Sequence, residues 1–335
     1  MANLIGKDIK SQDLKSILHS KRANIYYLEY CRVLVNGGRV EYVTERGQES
    51  LFWNIPIANT TTMMLGTGTS ITQAAVRELA KAGVMLGFCG AGGTPLFAGT
   101  EQCLEVAWIP GQSEYRPTEY LQQWTSFWFD DSLRLAAARS FQLARMERLK
   151  EHWSRSKSLK EQGFGANLNE LGALVQASTT AIRTSPDVTA LLTEEGRLTK
   201  QLYRLASIGS GYGDFTRDKQ GNNLDAANQF LNHGNYLAYG LGATAAWVLG
   251  LPHALAVLHG KTRRGGLVFD VADLIKDAII LPQAFLSSTQ GHTEQEFRHA
   301  CIDALTRAEA LDFMIDVIKS TAATVSQMAL ANKTS

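Results

Sequence analysis

The sequence predicts an α+β protein: a small β-rich N-terminal domain with one helix, followed by a larger all-α domain. Short β-branched and aromatic runs separated by turn residues fill the first hundred or so positions. Beyond Ile109-Pro110-Gly111 a polar connector intervenes, and from there apolar residues recur at helical spacing. The expected boundaries are 1–110 for the β-rich domain, 111–117 for the linker and 118–335 for the helical domain. A length of 335 residues agrees with two domains of ~150 residues each.

In order along the chain, ANIYYLEYCRVLV and RVEYVTE flank Asn36-Gly37-Gly38, a hairpin-turn signal. LFWNIPI, TTMML, VMLGFC and CLEVAWI read as further strands. One helix is expected from about Ser70 to Ala82, stopped by Gly83. In the second half, helices are expected over 121–150, 168–183, 188–207, 225–249 and 271–285. Thr293 and Glu296 form a capping-box signature that opens another.

Composition narrows the class. Hydrophobic residues at 45% and charged residues at 19% are enough for sizeable cores and exclude bulk disorder. The 33 Lys+Arg almost cancel the 32 Asp+Glu, so a globally basic nucleic-acid surface is not expected. Cys31, Cys89, Cys103 and Cys301 are scattered, which argues against a disulfide framework or zinc site and for a reducing compartment. The first residues lack an apolar leader, so the expected location is cytoplasmic. Residues 226–260 carry no Asp, Glu, Lys or Arg, yet hold Asn228, Asn232, His233 and His253. They read as helices buried in protein rather than a membrane span.

Two glycine-rich stretches imitate nucleotide loops. Leu65-Gly66-Thr67-Gly68-Thr69-Ser70 has Ile71 where GxGxxG requires its third glycine, so a tight turn into a capped helix is favoured. Gly90 to Pro95 leads into Leu96-Phe97 and reads as a hairpin loop. The amides between Asn222 and Gly240 would line a polar groove or satisfy buried backbone, and the second reading is favoured.

The chemistry concentrates in residues 258–280. Asp270, Asp273 and Asp277 recur at i, i+3 and i+7, so a helix would align them among apolar residues that pack into a core. Carboxylates beside a buried face need a partner. Either a cation supplies it, or Asp270 caps the helix, Asp273 bonds a nearby arginine and His259 is a core histidine. Glu194-Glu195-Gly196 adds a second carboxylate source; a glycine inside a helix costs ~1 kcal/mol relative to alanine and points to close approach by backbone or ligand. A Glu, a His and one or two Asp form an oxygen-rich set suited to Mg²⁺ or Mn²⁺, metals that commonly act on phosphates. Between Arg134 and Lys160, eight basic residues face only Glu147 and Glu151. This local strip is either a solvated face or a phosphate-contacting surface.

At these residues the sequence resembles the CRISPR-associated spacer-acquisition endonucleases, the catalytic subunits of the integrase that inserts DNA into the repeat array. Three blocks carry the resemblance: Glu195-Gly196 followed by Tyr203, the run DAANQFLNHGNYLAYG, and LGLPHALAVLHGKTRRGGLVFDVADLIKDAIILPQAF. The last is closest to subtype I-F members. The resemblance implies a divalent ion (Mg²⁺ or Mn²⁺) held by Glu195, His259 and Asp273, with Asp270 a supporting catalytic acid. It implies a homodimer formed through the β-rich domain, acting on spacer and repeat DNA. The further partner would be the small acquisition nuclease fused to the CRISPR helicase-nuclease, with no membrane involved. Arg145, Arg148, Arg263 and Arg264 are candidate phosphate contacts by charge placement. The alternative is a non-catalytic DNA-binding scaffold of a defence complex; a metal enzyme acting on a small phosphorylated metabolite is a third reading.

Overall fold

A computed structural model describes Arg22 and residues 24–46, 49–89, 106–111, 116–218, 225–260 and 265–334. The architecture is the expected one, a β-rich N-terminal region with a helix and then a mostly helical region. The first comprises β1 (Asn24–Leu28), β2 (Arg32–Asn36), β3 (Arg39–Arg46), β4 (Glu49–Asn54), β5 (Thr60–Leu65), β6 (Ser70–Ile71), α1 (Gln73–Lys81), β7 (Met85–Cys89) and β8 (Val106–Ile109). They form two sheets, ordered β4-β3-β2-β6 and β1-β5-β7-β8.

The hairpin at Asn36 is the β2–β3 turn. Asn36 pairs with Arg39 across Gly37 and Gly38, whose φ values of 53° and 79° suit a two-residue turn with both centres left-handed. The apolar run before it is two strands, not one. Tyr30 takes a positive φ of 49°, and β1 and β2 go to different sheets. The helix expected from Ser70 begins later, because Ser70 and Ile71 pair in parallel with Arg32 and Val33 as β6. Thr72 then caps α1 by accepting from the Ala75 N–H. Gly66 leaves room for protein: a Cβ there would lie 2.8 Å from the Glu29 side chain. The loop expected at Gly90 to Pro95 lies outside the described residues.

The helical region comprises α2 (Glu119–Trp128), α3 (Asp131–Arg155), α4 (Lys157–Glu161), α5 (Leu168–Thr184), α6 (Val188–Gly209), α7 (Ala226–Val248), α8 (Gly266–Ile275), α9 (Leu281–Thr289), α10 (Glu294–Arg307) and α11 (Ala310–Thr334). The helix expected over 121–150 is split by Asp130, which caps α3 through the N–H groups of Ser132 and Leu133. The helix expected over 271–285 starts earlier and is interrupted by a π-helical turn, Lys276–Ile280. The capping box at Thr293 is present as read.

α7 is the spine. It is buried over most of its circumference, which accounts for the uncharged stretch. No helix among the described residues is long and apolar enough to cross a membrane. Two close approaches fix it. A Cβ on Gly242 would meet the Val268 carbonyl oxygen at 2.8 Å, so α8 lies almost against its backbone. The Thr244 hydroxyl sits 2.7 Å from that of Thr62, joining α7 to β5. Asn228 and Asn232 bond the segment before α7, through Thr216, Arg217 and Asp218, as the structural reading anticipated. Trp124 and Trp128 donate from α2 to the carbonyls of Leu255 and Ala256 at 2.9 and 2.8 Å. That anchors the segment ending in His259.

Candidate metal centre

His259 lies in the irregular segment between α7 and α8, and a single carboxylate organises it. Asp270 Oδ2 accepts from the N–H groups of Val257 and Leu258 at 2.7 and 3.0 Å. Its Oδ1 accepts from the His259 N–H at 3.0 Å and lies 2.8 Å from ring Nδ1. Asp270 therefore caps the 257–259 turn rather than α8, and its oxygens are occupied. With Nδ1 donating to Asp270, the lone pair falls on Nε2. That atom faces Glu195 on α6, with Oε2 3.7 Å away.

Asp273, nearly one turn beyond Asp270 on α8, closes the group. One ligand atom each from Glu195, His259 and Asp273 lies within 4.8 Å of the others. Glu194 is turned aside into a bidentate pair with Arg197 at 2.7 and 2.6 Å, leaving Glu195 as the inward carboxylate. Gly196 has no backbone against it, since a Cβ there would meet nothing within 4 Å. The expected close approach by protein is not found.

Two cations that the sequence reading did not assign to the centre are built into it. Lys276 donates to Asp273 Oδ1 at 2.6 Å. Arg145, only 3% exposed, donates from Nε to Asp277 Oδ2 at 2.7 Å and holds Nη1 3.4 Å from Glu195 Oε1. Arg145 is thus a buried counter-ion and not a surface phosphate contact, a correction to the reading of the basic strip. Asp277, at the start of the π turn, is taken up by Arg145 of α3 and is not among the three side chains that converge. Trp153 donates to two buried carbonyls of that turn, at Asp277 and Ala278.

The basic strip divides between inside and outside. Phe141 and Trp153, interleaved with the basic residues, are buried in the core. Arg148 donates to the Ala308 carbonyl and lies over the Phe313 ring at 4.8 Å. Lys150, Arg155, Lys157 and Lys160 are exposed. Arg263 and Arg264 lie outside the described residues.

Burial and the charge of Asp273 push the Glu195 carboxyl above its ordinary range. Burial also works against ionisation of Asp273, yet Lys276, Arg145 and His259 hold it down at about 2. Burial alone would lower His259, but the bond to Asp270 and the charges of Asp273 and Glu195 raise it. Four carboxyl groups, Glu195, Asp270, Asp273 and Asp277, thus stand beside two built-in cations, Arg145 and Lys276, an acidic excess in a largely buried site. Two carboxylates and one imidazole nitrogen with that charge fit a hard divalent cation.

Fold and site together define an α+β protein with a candidate divalent-metal centre in its helical region. Comparisons with known proteins identify its family. The family model described as CRISPR associated protein Cas1 matches residues 29–300. The chain is 63% identical over 315 residues to the CRISPR-associated endonuclease Cas1 of Pseudomonas aeruginosa strain UCBPP-PA14, covering 94% of this chain and 97% of that one. It is 62% identical over 319 residues to the same-named protein of Pectobacterium atrosepticum, with the same coverages. Among solved structures, a casposase bound to integration product aligns with a TM-score of 0.68 over 91% of each chain, at 14% identity. A CAS1 protein from Thermotoga maritima aligns at 0.66 and 14% identity, over 90% of this chain and 96% of that one. At these identities the two structures speak for the fold alone. The chain belongs to the Cas1 family of CRISPR-associated endonucleases.

Proposed function

We propose that this protein joins spacer DNA to the repeat array by metal-dependent transesterification, and cleaves DNA when water replaces the attacking hydroxyl. The observation that carries this is the convergence of Glu195, His259 and Asp273 on one largely buried, acid-rich point. In the joining reaction the spacer 3′-oxygen forms a bond to phosphorus while a repeat P–O bond breaks, so phosphodiesters are exchanged and no external energy source is needed. Mg²⁺ or Mn²⁺, held by Glu195, His259 and Asp273, would supply Lewis-acid polarisation of the phosphoryl group.

The chain's own residues prepare that site. Asp270 fixes the His259 tautomer and ring plane. Lys276 and Arg145 hold Asp273 and Glu195 in place; together with His259 they keep Asp273 ionised, and they oppose the rise at Glu195. Arg148, Arg263 and Arg264 remain candidates for DNA phosphates, whereas Arg145 serves the centre. Domain roles follow the same reading: residues 118–335 carry catalysis, and residues 1–110 form a homodimer. Edge strand β4 supports this assignment, since Phe52 and Trp53 on it are 56% and 49% exposed. The remaining partner would be the small acquisition nuclease fused to the helicase-nuclease, in the cytoplasm.

The test is to mix the full chain with a 3′-hydroxyl DNA fragment and a repeat-bearing plasmid in Mn²⁺. Strand joining and cleavage should be lost in Glu195→Ala and Asp273→Ala. Undiminished activity in either would sink the site assignment. DNA binding without turnover by the wild type would instead favour the scaffold reading.

A further inference from the structure

The segment that presents His259 is irregular, so its backbone groups need partners from outside it. Its amide side is taken by Asp270, which holds the N–H groups of Val257, Leu258 and His259. Its carbonyl side is taken by α2. Trp124 and Trp128, one turn apart on that helix, donate their indole N–H groups to two consecutive carbonyls, Leu255 at 2.9 Å and Ala256 at 2.8 Å. Ala256 is buried three residues before His259, where an unmet carbonyl would be costly. The indole suits this task, because it donates one hydrogen bond and accepts none.

The start of α8 closes another side. A Cβ on Gly266 would meet the Ala256 Cβ at 2.8 Å and the His259 carbonyl oxygen at 3.0 Å, so this helix presses directly on the segment. α8 also carries Asp270 and Asp273, which places one expected ligand and the brace of another on a single element. α2 is the independent support. Its entry is seated where α7 ends, since a Cβ on Gly250 would lie 2.6 Å from the Pro117 carbonyl oxygen. Its exit is fixed from α3: Arg134 Nη1 donates to the Trp128 carbonyl at 2.9 Å, and the guanidinium lies over the Trp128 ring, 5.5 Å from its centroid. A cation therefore backs one face of the ring while its N–H is aimed at Ala256.

We propose that Trp128, backed by Arg134 and joined by Trp124, is a positioning residue for His259, so that α2 sets how far the imidazole stands toward Glu195 and Asp273. The indoles act through the Leu255 and Ala256 backbone, not by coordination. This inference rests on the metal reading given above and divides the work within it. Asp270 sets the tautomer and shapes the turn, whereas α2 holds the turn in place against α8.

The experiment is calorimetric Mn²⁺ titration of the full chain, with amide hydrogen exchange over residues 255–260 in EDTA as a metal-free readout. Trp128→Phe keeps an aromatic ring beside Arg134 and removes the N–H. In this variant, folded by circular dichroism, Mn²⁺ affinity should fall about three- to tenfold, less than for a direct partner of a metal-binding histidine. Exchange over 255–260 should quicken, and kcat for DNA cleavage should fall with KM for DNA unchanged. A purely structural tryptophan would lower the unfolding midpoint and leave Mn²⁺ affinity and kcat alone. Arg134→Met leaves the indole and removes its backing, and should weaken Mn²⁺ binding about twofold or more. Wild-type Mn²⁺ affinity in Trp128→Phe, or in Arg134→Met where the first variant does not fold, overturns the inference while the metal reading stands. Absence of Mn²⁺ binding by the wild type, or equal binding by Glu195→Ala, sinks the metal reading and this inference with it.

Discussion

Asp270 grips His259 at two points, the backbone N–H at 3.0 Å and ring Nδ1 at 2.8 Å, through the same carboxylate oxygen. Its second oxygen takes two further N–H groups, so one side chain both shapes the 257–259 turn and sets the imidazole tautomer. Asp270→Asn places an NH₂ group among donors and should loosen both. Mn²⁺ affinity and DNA cleavage should each fall about 10- to 100-fold, as for other second-layer partners of metal-binding histidines. Mn²⁺ titration with circular dichroism as a folding control checks this. Wild-type affinity in a folded variant would remove Asp270 from the positioning role.

Arg145 and Asp277 form a buried ion pair at 2.7 Å between α3 and the π turn. Arg145→Met leaves Asp277 uncompensated and should cost ~3–5 kcal/mol, the usual penalty for stranding one buried charge. Adding Asp277→Asn should recover much of that loss. Urea unfolding of the two singles and the double measures the coupling. Simple additivity would mean the pair has no special partnership.

Two helical glycines should respond in opposite directions. Gly242→Ala puts a methyl 2.8 Å from the Val268 carbonyl and should destabilise by about 1–3 kcal/mol. Gly196→Ala enters open space on α6 and should stabilise by up to ~1 kcal/mol through helix propensity. Thermal unfolding reads both. If Gly196→Ala gains stability but loses cleavage, the gap beside Glu195 is there for substrate.

Burial depresses His152 and His233 to about 4, with Arg148 and Arg298 adding to the effect. Unfolded histidine titrates near ~6.5, so between these values the unfolded chain binds more protons. Stability should be whole above pH 6.5, decline as pH falls toward 4, and level off below. Asp273, held at about 2, acts lower: its contribution stands above pH 3.8 and is lost as pH falls through 2. Urea midpoints from pH 7 to 4.5 test the histidine window. A slope in His233→Leu as steep as in wild type would contradict the assignment to His233.

Short-range chemistry was legible in the residues. The Asn36-Gly37-Gly38 turn and the Thr293–Glu296 capping box are each closed by contacts within a few positions, so composition at those positions settles them. Glu195, His259 and Asp273 were recognisable as residue types suited to a cation and, through the family resemblance, as its expected ligands, with Asp270 a supporting acid; that Asp270 grips the 257–259 turn was not. Ser70 and Ile71 look like a helix start until β2 offers them a ladder. Asp277 looks like a third acid open to a cation until Arg145 of α3 engages it. Arg145 looks like one more charge in an exposed strip, and what places it inside is Asp277, 132 residues away. A buried charge is tolerated only where its partner waits. Because that partner comes from a distant segment, packing of α3 against α6 and α8 decided the centre's electrostatics, and local pattern could not.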